Sequence, residues 1–260
     1  MNKELIILDE STERCIDFVE SYLNNQNNNL YDPRAIAEEL VECICKEIEP
    51  IDNIIVMDCD KTLSENDATY EFCHCLGIDV KELKSIFHND RYTTYQFFCV
   101  ARLYGSKKTS EIKAAAIKAK KTLRLSERML SIAHGIPSGY FKLGITSGIY
   151  QIWELLLEDT LFDSLIGCSN FADMTYLITP SVKREVVAQL KRKGKTVVAV
   201  GDSLIDIPML EAADSGLIVA HEKLSNAVVE YFDRFPVTPI RQLSLSNYKY
   251  SGIGVVEGLI

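Results

Sequence analysis

The pattern of apolar and polar residues predicts a chain in which strands and helices alternate. Short apolar runs predict strands at 51–58, 141–145, 164–168, 195–200 and 216–220. Helical periodicity predicts helices at 149–157, 181–193 and 206–213. The first run has too few polar positions to alternate, which is typical of a parallel strand buried on both faces. Repeated strand–helix units predict an α/β fold with a doubly wound, Rossmann-like parallel sheet.

Residues 65–138 lack strand-like alternation and predict only helices. Two of these helices are expected near 92–104 and 110–123. A third would begin after a Ser126 cap and end at Gly135. We expect this block to be an all-helical cap, inserted into the catalytic core.

The predicted core and the two ends of the chain complete the domain organisation. The core comprises residues 51–64 and 139–235. Residues 1–50 predict a helical N-terminal extension, with Pro33 at a helix start. Residues 236–260 are expected to form a C-terminal tail.

Composition narrows the class of protein. The chain has 260 residues, enough for an α/β core and one further module. Its net charge of -9 disfavours binding to nucleic acid or to an acidic membrane. No apolar run is long enough to span a bilayer. The N-terminus is too short and too acidic for a secretory signal, so the expected location is cytoplasmic.

The eight cysteines are expected to be free thiols, because the chain shows no secretory signal. The run Cys73-His74-Cys75 could indicate zinc. However, residues two apart do not share a helix face, and no second ligand pair has a zinc-like spacing. The sequence therefore favours cysteines that act as small buried residues.

The first predicted strand ends in two acids, Asp58 and Asp60, with Thr62 close behind. Unpaired charge at a buried strand tip is costly and needs a compensating partner. In parallel sheets, ligands bind beyond the carboxyl ends of the strands. These acids are therefore expected to face a binding crevice.

The ends of the other predicted strands also carry residues that could bind a phosphate or a metal ion. Ser147 and Gly148 follow the second strand and open a helix, where a hydroxyl and free N–H groups suit a phosphate. Asp202 and Asp206 follow the fourth strand, and Lys183 lies in the first turn of the helix before it. Such oxygen ligands suit Mg²⁺, and a carboxylate beside it could attack phosphorus while a second acid transfers protons.

These residues resemble the four motifs of haloacid dehalogenase superfamily phosphatases, in the right order over residues 51 to about 220. The matching segments are Asp58-Cys-Asp60-Lys-Thr62, Ser147-Gly148, Lys183 and Gly201-Asp202 with Asp206. The resemblance implies that Asp58 is the nucleophile and a Mg²⁺ ligand. It implies that Asp60 is the general acid/base and binds Mg²⁺ through its backbone carbonyl. The dehalogenase branch lacks this second acid, so Asp60 favours a phosphatase.

The resemblance also assigns the remaining core residues. It implies that Asp202 binds Mg²⁺ and that Asp206 supports the metal site. It implies a set of phosphate-binding residues: Thr62, Ser147, Gly148 and the catalytic Lys183.

The helical block resembles the cap of the phosphoserine phosphatase-like branch, in which an acid and an arginine hold the substrate's amino and carboxylate groups. Asp67 matches the acid's spacing, and Arg102 fits the arginine's position loosely. Asp67 as a helix cap and Arg102 as a solvated helix residue remain alternatives. Two positions depart from that branch: Ile205 replaces the usual Asn, and Ile149-Tyr150 replaces Gly-Phe.

The sequence thus predicts Mg²⁺-dependent hydrolysis of a small phosphomonoester through an aspartyl-phosphate, with a phosphoserine-like molecule as a candidate substrate. The alternatives are a phosphotransferase or phosphomutase that uses the same intermediate, and a catalytically silent binding protein on the same fold. The expected partner is a small phosphorylated metabolite, with no nucleic acid and no membrane. The chain would be a monomer or a homodimer.

Overall fold

The computed structural model describes residues 31–87, 92–157, 161–171, 176–236 and 238–259. The first thirty residues of the predicted N-terminal extension lie outside this part of the chain. The chain divides into two units, Met1–Asp32 and Pro33–Ile260, and the sheet and its flanking helices belong to the second.

A seven-stranded sheet forms the centre of the second unit, and all its strand pairs are parallel. The strands are β1 (Asn53–Asp58), β2 (Tyr140–Ile145), β3 (Ser164–Ile166), β4 (Thr196–Gly201), β5 (Ser215–Ala220), β6 (Arg241–Ser244) and β7 (Val255–Val256). Their spatial order is β3-β2-β1-β4-β5-β6-β7. The chain leaves β1 for β2 on one side and later reaches β4 on the other, so a binding crevice is expected at the carboxyl end of β1.

The structure confirms the predicted α/β class and its parallel sheet. The five predicted strands correspond to β1–β5, with ends that differ by up to two residues. The C-terminal stretch, to which the sequence assigned no role, adds β6 and β7 to the sheet edge.

Eleven helices lie in the described part of the chain. They are α1 (Pro33–Cys43), α2 (Cys45–Ile48), α3 (Thr69–Leu76), α4 (Val80–Ile86), α5 (Thr94–Gly105), α6 (Thr109–Lys120), α7 (Glu127–His134), α8 (Tyr150–Glu154), α9 (Pro180–Arg192), α10 (Ile207–Ala212) and α11 (Asn226–Arg234). Helix α1 packs against α9, so part of the N-terminal extension contacts the core. None of the described helices is long and apolar enough to cross a membrane.

The predicted helical block contains α3–α7, which we call the helical insert (residues 65–138). Local chemistry explains several of its helix ends. The Thr93 hydroxyl and the Gln96 side chain form a reciprocal capping box at α5. The Ser126 hydroxyl accepts from the Met129 N–H at the start of α7, and the helix ends at Gly135, as the sequence predicted.

The insert enters and leaves the core through two adjoining chain segments. Ser64 and Leu125 form an isolated antiparallel bridge. The Asn66 side chain donates to the Thr122 carbonyl at 2.9 Å and accepts from the Arg124 N–H at 2.7 Å. These bonds fix the junction directly beside the loop that follows β1.

The core lies between the sheet and its flanking helices. Five of the six residues of β1 are buried, from Ile54 to Asp58. This agrees with the continuous apolar pattern and sets Asp58 at the end of a strand that is covered on both faces.

Candidate active site

A fully buried lysine joins two acids at the carboxyl end of the sheet. Lys183, in the first turn of α9, has no exposed surface. Its Nζ lies 2.5 Å from Asp58 Oδ1 and 2.7 Å from Asp206 Oδ1. Burial opposes the lysine's charge, but Asp206 and Asp58 outweigh it and raise the pKa of Lys183. The lysine therefore stays charged and compensates both carboxylates.

The second oxygen of Asp58 faces Thr62 and Asp202. The Thr62 hydroxyl donates to Asp58 Oδ2 at 2.9 Å and lies 3.5 Å from Asp202 Oδ1. Thr62 is itself completely buried. One carboxylate oxygen of Asp58 is thus held by the lysine, and the other is directed towards Asp202.

Asp206 holds the loop after β4 in place. Its Oδ2 accepts from the Ser203 hydroxyl at 2.8 Å and from the N–H groups of Ser203 and Asp202 at 3.1 and 3.2 Å. A Cβ on Gly201 would lie 2.4 Å from the Asp206 Cβ, so this close approach requires glycine. Both oxygens of Asp206 are therefore occupied by donors of the chain, which suits the supporting role implied by the sequence.

Asp58, Asp202 and Asp206 bring carboxylate oxygens within 4.8 Å of one another. Lys183 contacts Asp58 and Asp206, and Lys61 is a second cation close to Asp202. Burial raises the pKa of Asp202 well above its ordinary value, and Asp206 and Asp58 raise it further. Asp206 Oδ2 accepts from three donors, whereas each oxygen of Asp58 accepts from only one. Asp58 and Asp202 are therefore the side chains that could hold a cation. Their hard oxygen atoms and unbalanced charge fit Mg²⁺.

Asp60 differs from Asp58 in its surroundings. Burial, Asp67 and Asp58 together raise the pKa of Asp60 to about 8. Burial and Asp206 raise the pKa of Asp58 only to about 6, because Lys183 favours its charged form. In the absence of a metal, Asp60 therefore keeps its proton at higher pH than Asp58.

The segment after β2 lies against Asp60. The Thr146 hydroxyl contacts Asp60 Oδ2 at 3.3 Å and accepts from the Gly148 N–H at 2.9 Å. A Cβ on Gly148 would come within 2.3 Å of Asp60 Oδ2, so a larger residue there would displace the Asp60 carboxylate. The Ser147 Oγ is buried and has no hydrogen-bond partner among the described residues, which leaves it available to a ligand.

The two insert residues proposed for substrate occupy different environments. Asp67 is half-buried and close enough to Asp60 to raise its pKa, while its Oδ1 accepts from the Thr69 N–H at 2.8 Å. Asp67 is therefore a helix-start residue that also lies beside the acids. Arg102 is exposed on α5, whereas Tyr104 of the same helix is buried. Burial raises the pKa of Tyr104 well above its ordinary value, and Cys73, Asp67 and Asp60 raise it further. The sequence pattern predicts no role for Tyr104.

His221, to which the sequence gave no role, contacts the loop that carries the acids. His221 directly follows β5, and its Nε2 lies 2.8 Å from the Lys61 carbonyl oxygen. Lys61 has a φ of 57°, an uncommon conformation for a residue with a side chain. The Lys61 N–H donates to Ser64 Oγ at 3.1 Å. Hydrogen bonds to the N–H and to the carbonyl of Lys61 thus hold the loop between Asp60 and Thr62.

A cavity of about 350 Å³ lies between the insert and the core. Its lining residues come from α6, α8 and the segment after β3: Thr109, Ile112, Lys113, Tyr150, Gln151, Glu154, Ser169, Asn170 and Phe171. Phe171 stacks edge-on against Tyr104, with ring centroids 5.0 Å apart. The cavity therefore adjoins Tyr104, an insert residue close to the acids at the sheet edge.

The structure brings most of the predicted core residues into one group. Asp58, Thr62, Lys183, Asp202 and Asp206 are linked by direct contacts. A second set surrounds Asp60 and includes Gly148. Thr146 belongs to this set, and its only sequence signal was its place at the end of a predicted strand.

Comparison with known proteins gives the fold. No family model matches the sequence, and no curated protein matches it either. Among solved structures, a HAD family hydrolase from Salmonella enterica serovar Typhi is 17% identical, covers 86% of this chain and 90% of its own, and has a TM-score of 0.54. A protein of unknown function from Bordetella pertussis Tohama I is 14% identical, with coverages of 80% and 99% and a TM-score of 0.56.

A third structure contains an analogue of the phospho-aspartyl intermediate of phosphoserine phosphatase. It is 18% identical, covers 71% of this chain and 99% of its own, and has a TM-score of 0.50. At these identities the similarity concerns the fold. The chain has the fold of the haloacid dehalogenase (HAD) hydrolases, which is the fold that the resemblance implied.

Proposed function

We propose that this protein is a phosphatase that hydrolyses a small phosphomonoester through an aspartyl-phosphate on Asp58. The arrangement of Asp58 carries the proposal: Lys183 holds one of its oxygens and Thr62 the other, with Asp202 adjacent. A carboxylate fixed at both oxygens in a buried site is oriented for attack on a bound phosphorus atom.

The residues around Asp58 would bind the phosphate group of the substrate and offset its charge. Ser147 Oγ, which has no partner in the described structure, would donate to a phosphate oxygen. Lys183 would contribute positive charge beside the reacting group. Asp58 and Asp202 would hold Mg²⁺, together with the backbone carbonyl of Asp60. When bound, Mg²⁺ would offset the phosphate charge, so that the Asp58 carboxylate can approach the phosphate.

Two steps complete the proposed reaction. In the first, an Asp58 oxygen bonds to phosphorus, the ester P–O bond breaks, and Asp60 gives its proton to the leaving oxygen. In the second, Asp60 takes a proton from water, the water oxygen bonds to phosphorus, and the bond to Asp58 breaks. Phosphate leaves, and Asp60 again carries its proton.

We propose further that the helical insert is a cap that selects the substrate. Asp67 and Tyr104 lie near Asp60, and the adjoining cavity has walls from both the insert and the core. Asp67 would accept from a cationic or hydroxyl group of the substrate. Arg102 would bind an anionic group when the insert closes over the site.

Phosphate release from p-nitrophenyl phosphate in the presence of Mg²⁺ tests the reaction. The wild-type chain should release phosphate, and Asp58→Asn should abolish release while keeping the same fold. Asp79→Asn, which changes an exposed helix-start acid of the insert, is the matched control and should stay active. Retained activity in Asp58→Asn would remove Asp58 as the nucleophile.

A panel of phosphorylated metabolites that includes phosphoserine tests the proposed substrate residues. If a phosphorylated amino acid is the substrate, Arg102→Ala should mainly raise KM for that compound. The same variant should leave turnover of p-nitrophenyl phosphate unchanged, because that compound carries no carboxylate.

A further inference from the structure

The insert contains a second group of metal-ligating side chains, on α3. Glu71, His74 and Cys75 each offer one ligand atom, and these atoms lie within 4.8 Å of one another. Glu71 and Cys75 are partly buried, and His74 is exposed. The spacing of three and four residues places all three side chains on one face of the helix.

This group differs from the Cys73-His74-Cys75 run that the sequence brought to attention. Cys73 is buried, and its Sγ lies 3.7 Å from the Tyr104 hydroxyl, within the insert's interior. Cys75 instead donates to Glu71 Oε1 at 3.4 Å. The two cysteines therefore point in different directions from the helix, and the side chain beside Cys75 is that of Glu71 and not that of Cys73.

The distances suit a tetrahedral ion. Zinc bonds to sulfur at about 2.3 Å and to carboxylate oxygen at about 2.1 Å, so a tetrahedral angle separates these two ligands by about 3.6 Å. The 3.4 Å between Cys75 Sγ and Glu71 Oε1 is close to that value. A zinc ion could replace the thiol proton with little movement of either side chain.

The ligand types favour zinc over magnesium. Thiolate and imidazole are ligands for borderline and soft ions, whereas Mg²⁺ prefers oxygen. A Glu and a His three residues apart on a helix also form a recurrent metal-binding pair in helical bundles.

We propose that Glu71, His74 and Cys75 form a zinc site with its fourth position open to water. The site lies on the insert and is separate from the acids at the sheet edge. Helix α3 packs against α6, and Asp67 lies just before its start. Bound zinc would link two turns of this helix and stabilise the part of the insert nearest to the catalytic loop.

Cobalt binding to the full-length chain tests the site, because Co²⁺ replaces zinc and gives an absorption band when a thiolate binds it. The experiment uses the Asp58→Asn background to weaken competing binding at the sheet edge. A thiolate band should appear at one equivalent of Co²⁺, and zinc should displace it. Cys75→Ser should remove the band, and His74→Ala should weaken cobalt affinity at least about tenfold.

Cys45→Ser is a matched control. Cys45 also donates to a carboxylate, Glu42, at 3.4 Å on a helical segment, but no histidine completes a third position there among the described residues. This variant should keep both the band and the affinity. Circular dichroism should show that all variants remain folded.

The result that would overturn the proposal is equally direct. The proposal fails if the folded chain shows no thiolate band. It also fails if Cys75→Ser keeps the band, or if His74→Ala binds cobalt as tightly as the parent. Because the readout is absorption, the outcome does not depend on phosphatase activity.

Discussion

The buried charges at the sheet edge and two acids of the helical insert differ in how far away in sequence their partners lie. At the sheet edge, residues far apart in sequence converge: Asp58, Lys183 and Asp206 are buried and joined by bonds of 2.5 and 2.7 Å. In the insert, Asp67 and Glu71 bond to groups two to four residues away, on the same helix. Strand register therefore fixes the positions of the sheet-edge residues relative to one another. In the insert, by contrast, these acids are positioned by residues close to them in sequence.

This difference separates reaction from recognition in the proposed function. Groups that would perform the chemistry are held by the parallel sheet and by buried charge pairs. Groups that would recognise the rest of the substrate lie on an insert that joins the core through two adjoining segments. Changes at the sheet edge should therefore affect stability and turnover, and changes in the insert should affect KM or metal binding.

The largest effect should come from Lys183→Met. This change leaves two buried carboxylates without their cation, so we expect a loss of about 3–5 kcal/mol in the free energy of unfolding. Urea denaturation in EDTA measures it. Lys193→Met removes an ion pair with Glu42 on the surface and should have no measurable effect. Equal losses in the two variants would contradict the claim that the sheet-edge charges are coupled.

Gly148→Ala should reduce turnover with little change in stability. The added Cβ would lie 2.3 Å from Asp60 Oδ2, so the acid must move. A displacement of that order should lower kcat about 100-fold in the phosphatase assay. Gly139→Ala, where a Cβ meets no atom within 4 Å, should behave as wild type. Full activity in Gly148→Ala would show that the position of Asp60 is not critical.

His221→Ala should have a smaller effect on turnover. It removes the contact with the Lys61 carbonyl and frees the loop that carries the acids. One such hydrogen bond corresponds to about 1 kcal/mol, so kcat should fall roughly fivefold while KM stays similar. His221→Gln keeps a donor and should recover part of the loss, whereas His134→Ala, at the end of α7, should be neutral. No difference between His221→Ala and His134→Ala would remove His221 as a positioning residue.

The last prediction concerns the pH dependence of stability in the metal-free protein. The folded-state pKa values of Asp58 and Asp60, about 6 and about 8, lie above the unfolded value near 4. The folded state therefore binds more protons than the unfolded state between pH 4 and 8, and stability should fall as pH rises through that range. Urea denaturation of Asp60→Asn in EDTA should show a shallower fall. An unchanged slope would mean that Asp60 is not a buried, protonated acid.

Much of the sheet edge could be predicted from the sequence, because its residues follow strands with strong local patterns. The apolar run that becomes β1 predicts where Asp58 lies, and the segments after β2 and β4 predict the positions of Ser147 and Asp202. In a parallel sheet, knowing where the strands end is enough to bring these residues together.

Other parts could not be predicted from local patterns. The strands β6 and β7 have four and two residues, too few to show a period. The contact between His221 and Lys61 depends on how two loops meet across the sheet, and the sequence gives no periodicity for that. The apolar stripe through Leu157 predicted a longer helix than α8, which ends at Glu154. The segment beyond it turns, because its apolar residues pack into the core without continuing the helix.

The insert was the hardest part to predict in chemical detail. Its helices follow from periodicity and capping residues such as Ser126. Which side chains face the acids depends on helix packing, so Tyr104 was missed. The sequence likewise did not indicate that Glu71 groups with Cys75, because the run Cys73-His74-Cys75 suggested a different set of ligands.

The central claim is that Asp58 carries the phosphoryl group, and mass spectrometry of the quenched reaction tests it most directly. The chain would be mixed with p-nitrophenyl phosphate and Mg²⁺, quenched in acid within the first turnovers, and digested. We predict one added phosphoryl group on the peptide that contains Asp58, absent from the Asp58→Asn variant. Phosphate release without any phosphorylated peptide, or with the phosphoryl group on another residue, would contradict the account.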